Sequence, residues 1–211
     1  MPTLRSPRSP AFHPSRSAWW LYLLLATVVA APGSAQPQRE LLNSERISAK
    51  FGSYGIEVLA QNDRLRTSNL FTSDGDVRTC RTFALVRYPS QLDPALAAPH
   101  AAIVAGGSIG AVFAARGWEV RKTHLNFSEI EASPRLANLM RIEERALLAE
   151  HVYVLDVAKD GRVLEYAALV EIHHPDYLRV GDLATIYGVP DSAARRDLVN
   201  ELLVEAAAQV R

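Results

Sequence analysis

The chain has 211 residues, with 23 basic and 23 acidic side chains and a single cysteine, Cys80. This balance lacks the surplus of Lys and Arg with which proteins neutralise many phosphates, so nucleic acid is not an expected partner. One thiol excludes an intramolecular disulfide, and the fold must therefore be stabilised by packing. Cys80 has no sequence-local partner that would lower its pKa, so we predict a buried strand residue rather than a nucleophile.

The N-terminal segment has the pattern of a cleavable export signal. Three arginines precede an apolar run at residues 18–31, and the small residues 32–35 follow it. A run of about 14 residues is shorter than the about 20 that span a bilayer, although an uncleaved anchor is the alternative. We therefore expect residues 1–35 to be a signal peptide and residues 36–211 to be one periplasmic or secreted domain. Membrane contact would then occur only through the signal segment.

The first half of this domain predicts one helix followed by three strands. The helix ends at Gly52, because glycine readily adopts the left-handed conformation that terminates helices. The predicted elements are a helix at 44–51 and strands at 56–61, 65–71 and 77–86. Asn-Asp and Asp-Gly pairs join the strands, which favours an antiparallel meander.

A longer helix is predicted over residues 93–116, because an Asp-Pro pair suits its first turn. Gly106, Gly107 and Gly110 weaken its middle by about 1 kcal/mol each relative to alanine. We expect close packing of this helix against the sheet to compensate, since glycine lets two backbones approach. The glycine run matches neither a dinucleotide-binding nor a P-loop motif, and no cofactor is expected.

The second half predicts the rest of the sheet and two further helices. The predicted elements are an edge strand at 118–127, a helix from 135 continuing toward 150, strands at 151–157 and 163–172, and a helix at 192–211 with an apolar stripe. An Asp-Gly turn joins the last two strands. The pattern indicates an α+β fold: an antiparallel sheet of about five or six strands with helices packed mainly on one face.

The register of the last hairpin decides whether its histidines can meet. With the Asp-Gly pair as the two loop residues, His151 pairs with Val170, and His151 and His173 then lie on opposite faces. His174 shares the face of His151 but lies about 13 Å away at about 3.3 Å per residue. Zinc ligands lie about 2 Å from the metal, so no metal site is predicted. Surface or capping histidines are the expectation.

Candidate ligand-binding residues nevertheless gather near the end of the last strand. They are His124, Glu171, His173, His174 and Asp176. Glu171 and His173 share a face and could act as a base and its orienter if a third group converged on them, for which His124 is the candidate. The chain has no Ser-x-x-Lys signature, and its one Gly-x-Ser-x-Gly string, at residues 106–110, follows a predicted helix instead of the strand that a nucleophile elbow requires, so no catalytic residue is assigned.

Two functional hypotheses follow from these patterns. The leading one is an exported, non-catalytic domain that binds a small ligand or an envelope protein. The alternative is a hydrolase or metal-binding protein centred on Glu171, His173, His174 and Asp176. The two differ in whether the imidazoles converge with a carboxylate in one site, which the strand order decides.

Overall fold

The computed structural model describes residues 40–194 and 196–210, which belong to one compact unit. The predicted signal peptide, residues 1–35, lies outside the described residues. Within the described part, no helix is both long enough and apolar enough to cross a membrane.

In the described residues, six strands form one antiparallel sheet, and six α-helices accompany it. The strands are β1 (Gly55–Gln61), β2 (Leu65–Asp74), β3 (Val77–Arg87), β4 (Glu119–Glu131), β5 (Leu147–Lys159) and β6 (Arg162–His173). The helices are α1 (Asn43–Phe51), α2 (Ala97–Val104), α3 (Ile109–Ala114), α4 (Pro134–Met140), α5 (Val180–Tyr187) and α6 (Asp197–Val210). The strand order is β1-β2-β3-β6-β5-β4. This confirms the predicted α+β class and antiparallel sheet, with β4 at an edge.

Both faces of the sheet carry helices. On one face, α4 and α6 pack against strand residues such as Phe83 and Val170. On the other face, α2 and α3 pack against Val86 and Leu169, while α1 and α5 pack around Ala84. The reason lies in β5 and β6, whose residues are buried in nearly continuous runs and so need cover on both sides. The central and C-terminal helices therefore lie on opposite faces instead of sharing one.

The helix predicted over residues 93–116 is divided. A short 3-10 turn at Pro94–Leu96 begins where predicted, with Asp93 Oδ1 accepting a hydrogen bond from the Ala95 amide at 2.9 Å. The chain then forms α2 and α3, separated by Gly106, whose φ of +105° favours glycine. The glycine run is thus a break between two helices, not the middle of one.

The glycines of this region do permit close packing, although not against the sheet. A Cβ on Gly110 would lie 2.6 Å from Leu42 Cδ1, at the start of α1. A Cβ on Gly107 would lie 2.8 Å from the carbonyl oxygen of Ala102 in α2. The absence of side chains here lets α3 approach both α1 and α2.

The helix predicted from residue 135 is confirmed over 135–140 as α4, but its predicted continuation toward 150 is absent. The helix ends at Met140, because Arg141 adopts a left-handed conformation with φ of +57°. The chain turns again at Arg145, with φ of +65°, and β5 begins at Leu147.

The register of the β5–β6 hairpin corrects the sequence-based face assignment. Lys159 pairs with Arg162 and Asp156 with Glu165, as predicted, but Leu155 pairs with Ala167. Tyr166 is therefore an extra residue in β6, that is, a β-bulge. A shift of one residue moves every later side chain to the other face. His151 consequently pairs with Glu171 instead of Val170, and the prediction that His151 and His173 lie on opposite faces is wrong.

Cys80 is a buried strand residue, as predicted, and is 3% exposed. Burial raises the pKa of its thiol to about 12, so the reactive thiolate is disfavoured. The apolar stripe of the last helix is also confirmed, since Leu198, Leu202 and Ala206 are buried against the sheet.

Candidate functional site

Three buried polar side chains lie close together near the start of β5 and the end of β6. His151 on β5 lies directly opposite Glu171 on β6, and His173 follows Glu171 by two residues on the same face. Glu171 Oε2 is 3.9 Å from His151 Nδ1 and 3.9 Å from His173 Nε2. We call His151, Glu171 and His173 the His-Glu-His cluster.

In each histidine of the cluster, we call the ring nitrogen that faces Glu171 the inner nitrogen and the other the outer nitrogen. A chain of hydrogen bonds holds the outer nitrogen of His173. Its Nδ1 lies 3.0 Å from Thr82 Oγ1 on β3. Asn43 Nδ2, at the start of α1, donates to the same Thr82 oxygen at 3.3 Å. Asn43 in turn accepts a hydrogen bond from the Tyr177 hydroxyl at 2.5 Å. The ring of His173 is thereby fixed between β3 and α1.

The outer nitrogen of His151 is held by a second chain of contacts. Its Nε2 lies 2.8 Å from His124 Nδ1 on β4, and His124 Nε2 lies 3.4 Å from Glu40 Oε2. The ring of Tyr187 from α5 stacks on both imidazoles, with centroid distances of 4.4 Å to His124 and 5.0 Å to His151. These contacts fix the plane of the His151 ring.

Burial sets the protonation of the cluster. Desolvation lowers the pKa of His173 to about 3, assisted by the positive charges of Lys122 and Arg46. Desolvation also lowers the pKa of His151 well below its usual value. The pKa of Glu171 is raised by burial, against the opposing effect of Lys122. Both imidazoles are therefore neutral near pH 7, with a lone pair on one ring nitrogen each.

A cavity of about 70 Å³ adjoins the cluster on the same face of the sheet. The start of α1 and the start of α3 border it, and strands β1 to β6 supply its floor. Its apolar lining includes Leu42, Ile56, Leu70, Ala84, Val86, Ile109, Val120, Leu155 and Leu169. Glu171 belongs to both the cavity wall and the His-Glu-His cluster.

Two basic side chains line this cavity. Arg66 on β2 is 1% exposed, and its Nη1 donates to the carbonyl oxygens of Ile103 and Gly107, both at 3.0 Å. Its Nη2 is buried and has no hydrogen-bond partner among the described residues. Lys122 on β4 differs, because its Nζ is 2.7 Å from Glu40 Oε1.

The structure brings three of the five predicted site residues together. Glu171 and His173 belong to the cluster, and His124 contacts it through His151. His174 points away from the cluster, its Nδ1 accepting a hydrogen bond from the Asp176 amide at 3.0 Å. The Asp176 side chain is 72% exposed. His174 and Asp176 therefore lie apart from the others.

The sequence prediction missed two residues of the site for different reasons. His151 was excluded by the hairpin register, and only knowledge of the bulge at Tyr166 would have restored it. Arg66 occupies a predicted strand, but nothing in its neighbours shows that a charged residue is buried there.

Comparisons with known proteins do not assign a family. No protein-family profile matches the sequence, and no curated protein matches it. A GntR-family transcriptional regulator from Enterococcus faecalis is 14% identical, with a TM-score of 0.39 over 60% of this chain and 93% of that one. The ligand-binding domain of a GntR-family regulator from Bordetella bronchiseptica is 12% identical, with a TM-score of 0.42 over 59% and 87%. The C-terminal domain of Yurk from Bacillus subtilis is 14% identical, with a TM-score of 0.35 over 67% and 92%.

Proposed function

We propose that this domain is a non-catalytic binding protein for a small carboxylic acid, which it holds in the cavity beneath α1 and α3. The observation that carries the proposal is the buried guanidinium of Arg66, which lines the cavity and has an unpartnered Nη2.

The guanidinium of Arg66 favours a negatively charged ligand. A guanidinium carries five N–H donors in a fixed fork, which matches the two oxygens of a carboxylate. No described carboxylate oxygen lies within 4.0 Å of Arg66, whereas Arg64, Arg87 and Lys122 all have such a partner. A buried charge without a counter-ion is costly. A bound carboxylate would supply both the charge and the missing hydrogen bond.

The volume of the cavity limits the size of the ligand. The cavity of about 70 Å³ is roughly half of the about 150 Å³ that accommodates benzene in an engineered protein. Most of the wall surface is apolar, which favours a short hydrocarbon tail behind the acid group. The ligand class that fits is a monocarboxylic acid of a few carbon atoms.

Isothermal titration with propionate and with neutral propionamide tests this proposal. We expect propionate to bind and propionamide not to bind, and Arg66→Lys to weaken propionate binding by about 10- to 100-fold, since a charge-assisted hydrogen bond contributes about 1.5–3 kcal/mol. A lysine at this position retains the positive charge but lacks the planar pair of N–H donors that matches the two oxygens of a carboxylate. Arg87→Lys is the matched control, because Arg87 lies on the neighbouring strand and pairs with Glu201 at 2.8 Å. Equal affinity for acid and amide, or for Arg66→Lys and the wild type, would contradict the proposal.

We also propose that the domain is exported to the periplasm or secreted, with an envelope protein as the alternative partner. Support for export comes from the basic, apolar and small-residue pattern of residues 1–35. Expression of the full chain in a Gram-negative host, followed by mass spectrometry of the product, should give a mature protein that begins near Gln36. Leu24→Arg, which interrupts the apolar run, should retain the leader. A wild-type product that keeps Met1 in the cytosol would refute export.

A further inference from the structure

We infer that the His-Glu-His cluster is a binding site for one divalent transition-metal ion of the Zn²⁺ class, held by His151 Nδ1, His173 Nε2 and Glu171 Oε2. The three atoms lie within 4.8 Å of one another, and all three residues are buried. Neither the binding of a carboxylic acid nor export requires a metal ion in the His-Glu-His cluster. Of the three cluster residues, only Glu171 also lines the cavity.

The inner nitrogens of both histidines point to a missing partner. His151 Nδ1 and His173 Nε2 are buried, and neither has a hydrogen-bond partner among the described residues. Each lies 3.9 Å from Glu171 Oε2, which is beyond hydrogen-bonding distance. The three groups therefore do not satisfy one another, although buried polar atoms ordinarily have partners. One cation between the two nitrogens and the Glu171 carboxylate would give both nitrogens a partner.

The outer nitrogens have the partners that a metal site requires. Ligating histidines usually donate their second N–H to an oxygen or another acceptor, which leaves the lone pair of the first nitrogen for the metal. His173 Nδ1 can donate to Thr82 Oγ1 at 3.0 Å, and His151 Nε2 can donate to His124 Nδ1 at 2.8 Å. The remaining His124 nitrogen, Nε2, faces Glu40. A single set of tautomers thus directs both inner lone pairs toward Glu171.

The spacing of the ligand atoms is close to that of a tetrahedral site. Two ligands about 2.0–2.1 Å from zinc at a tetrahedral angle lie about 3.4 Å apart. The nitrogen-to-oxygen distances of 3.9 Å exceed this by a margin that small side-chain rotations remove. Two imidazoles and one carboxylate are a donor set suited to zinc, cobalt or nickel, whereas Mg²⁺ and Ca²⁺ prefer oxygen ligands.

Two basic side chains, Lys122 and Arg46, place positive charge near His173. The charge of Lys122 is offset by Glu40, whose Oε1 lies 2.7 Å from Lys122 Nζ, and the Glu171 carboxylate itself favours a cation. The cluster adjoins the cavity, because Glu171 forms part of both the cavity wall and the cluster. We expect an ion to enter from the cavity.

Titration of the chelator-treated full chain with Zn²⁺ and Co²⁺ tests the inference. We expect one ion per chain by calorimetry and elemental analysis, with visible absorption from bound Co²⁺ and no binding of Mg²⁺ or Ca²⁺. His173→Gln and His151→Gln should each abolish stoichiometric binding. Thr82→Val, which removes only the support of His173, should weaken binding by about 10- to 100-fold. Folding of each variant is checked by circular dichroism.

Two comparisons make the result decisive. His100→Gln is the control for loss of an imidazole, because His100 bonds to Tyr166 at 3.1 Å and lies outside the cluster; it should bind Zn²⁺ normally. Arg66→Lys should impair propionate binding without affecting Zn²⁺ binding, which separates this site from the proposed function. A folded wild-type chain that binds no ion stoichiometrically would overturn the inference, as would unchanged binding in both cluster variants.

Discussion

The Phe113→Ala variant is expected to lose about 3–5 kcal/mol of unfolding free energy, the usual cost of removing a fully buried phenylalanine ring. Phe113 is 0% exposed. Its ring packs edge-on against Tyr166, with centroids 4.6 Å apart, and against Trp118 at 6.2 Å. Helix α3 has only six residues, and a helix this short is stable only through its packing. Phe113 is the one residue of α3 that is fully buried.

Urea denaturation followed by circular dichroism measures this loss. Val204→Ala on α6 is the matched control, because Val204 is 74% exposed and its truncation should change stability by less than about 0.5 kcal/mol. Since α3 also borders the cavity, Phe113→Ala should weaken propionate binding as well. A loss below about 1 kcal/mol would show that Phe113 does not anchor α3.

The metal-free protein is expected to lose stability as the pH falls below about 6.5, the ordinary pKa of histidine. In the folded state the pKa of His173 is lowered to about 3 by burial, so the unfolded chain binds more protons between these two values. Each such histidine reduces the free energy of unfolding by up to about 1.4 kcal/mol per pH unit in that range. His151 acts in the same direction, because burial also lowers its pKa.

Glu171 opposes this trend, since its raised pKa contributes stability below its unfolded pKa that is lost as the pH rises through the folded value. Lys122 and Arg46 also face these groups. The test therefore compares wild type with His173→Gln in chelator from about pH 6 to about pH 4, where removal of His173 should reduce the loss of stability by about 2–3 kcal/mol. Identical pH profiles for the two proteins would show that His173 is not a buried neutral group.

The elements of the fold could be predicted where short-range rules decide the structure. The end of α1 at Gly52 follows from local turn chemistry, as do the hairpins at Asn62 and at Asp160-Gly161. The division of the central helix does not, because a glycine run is compatible with a weak helix as well as with a break. The chain breaks where Gly106 adopts a φ of +105°, and Gly110 then lets α3 pack closely against Leu42, a contact between distant residues that is not encoded locally.

The site was only partly predictable for a related reason. Glu171 and His173 share a face in any strand, so their proximity follows from sequence. The position of His151 depends on the pairing of two strands, and an alternation rule fails once one strand carries an additional residue. The burial of Arg66 depends on the cover that α2 and the loop after it provide, which no property of β2 reveals.

The bulge at Tyr166 has a consequence for recognising this site in other chains. Histidines and a glutamate at equivalent places are insufficient evidence, because without the extra residue of β6 they would point to opposite sides of the domain. The number of residues between the histidine of β5 and the glutamate of β6 is what indicates the site. A chain that keeps all three side chains but is one residue shorter between them would have lost the arrangement while appearing intact in an alignment.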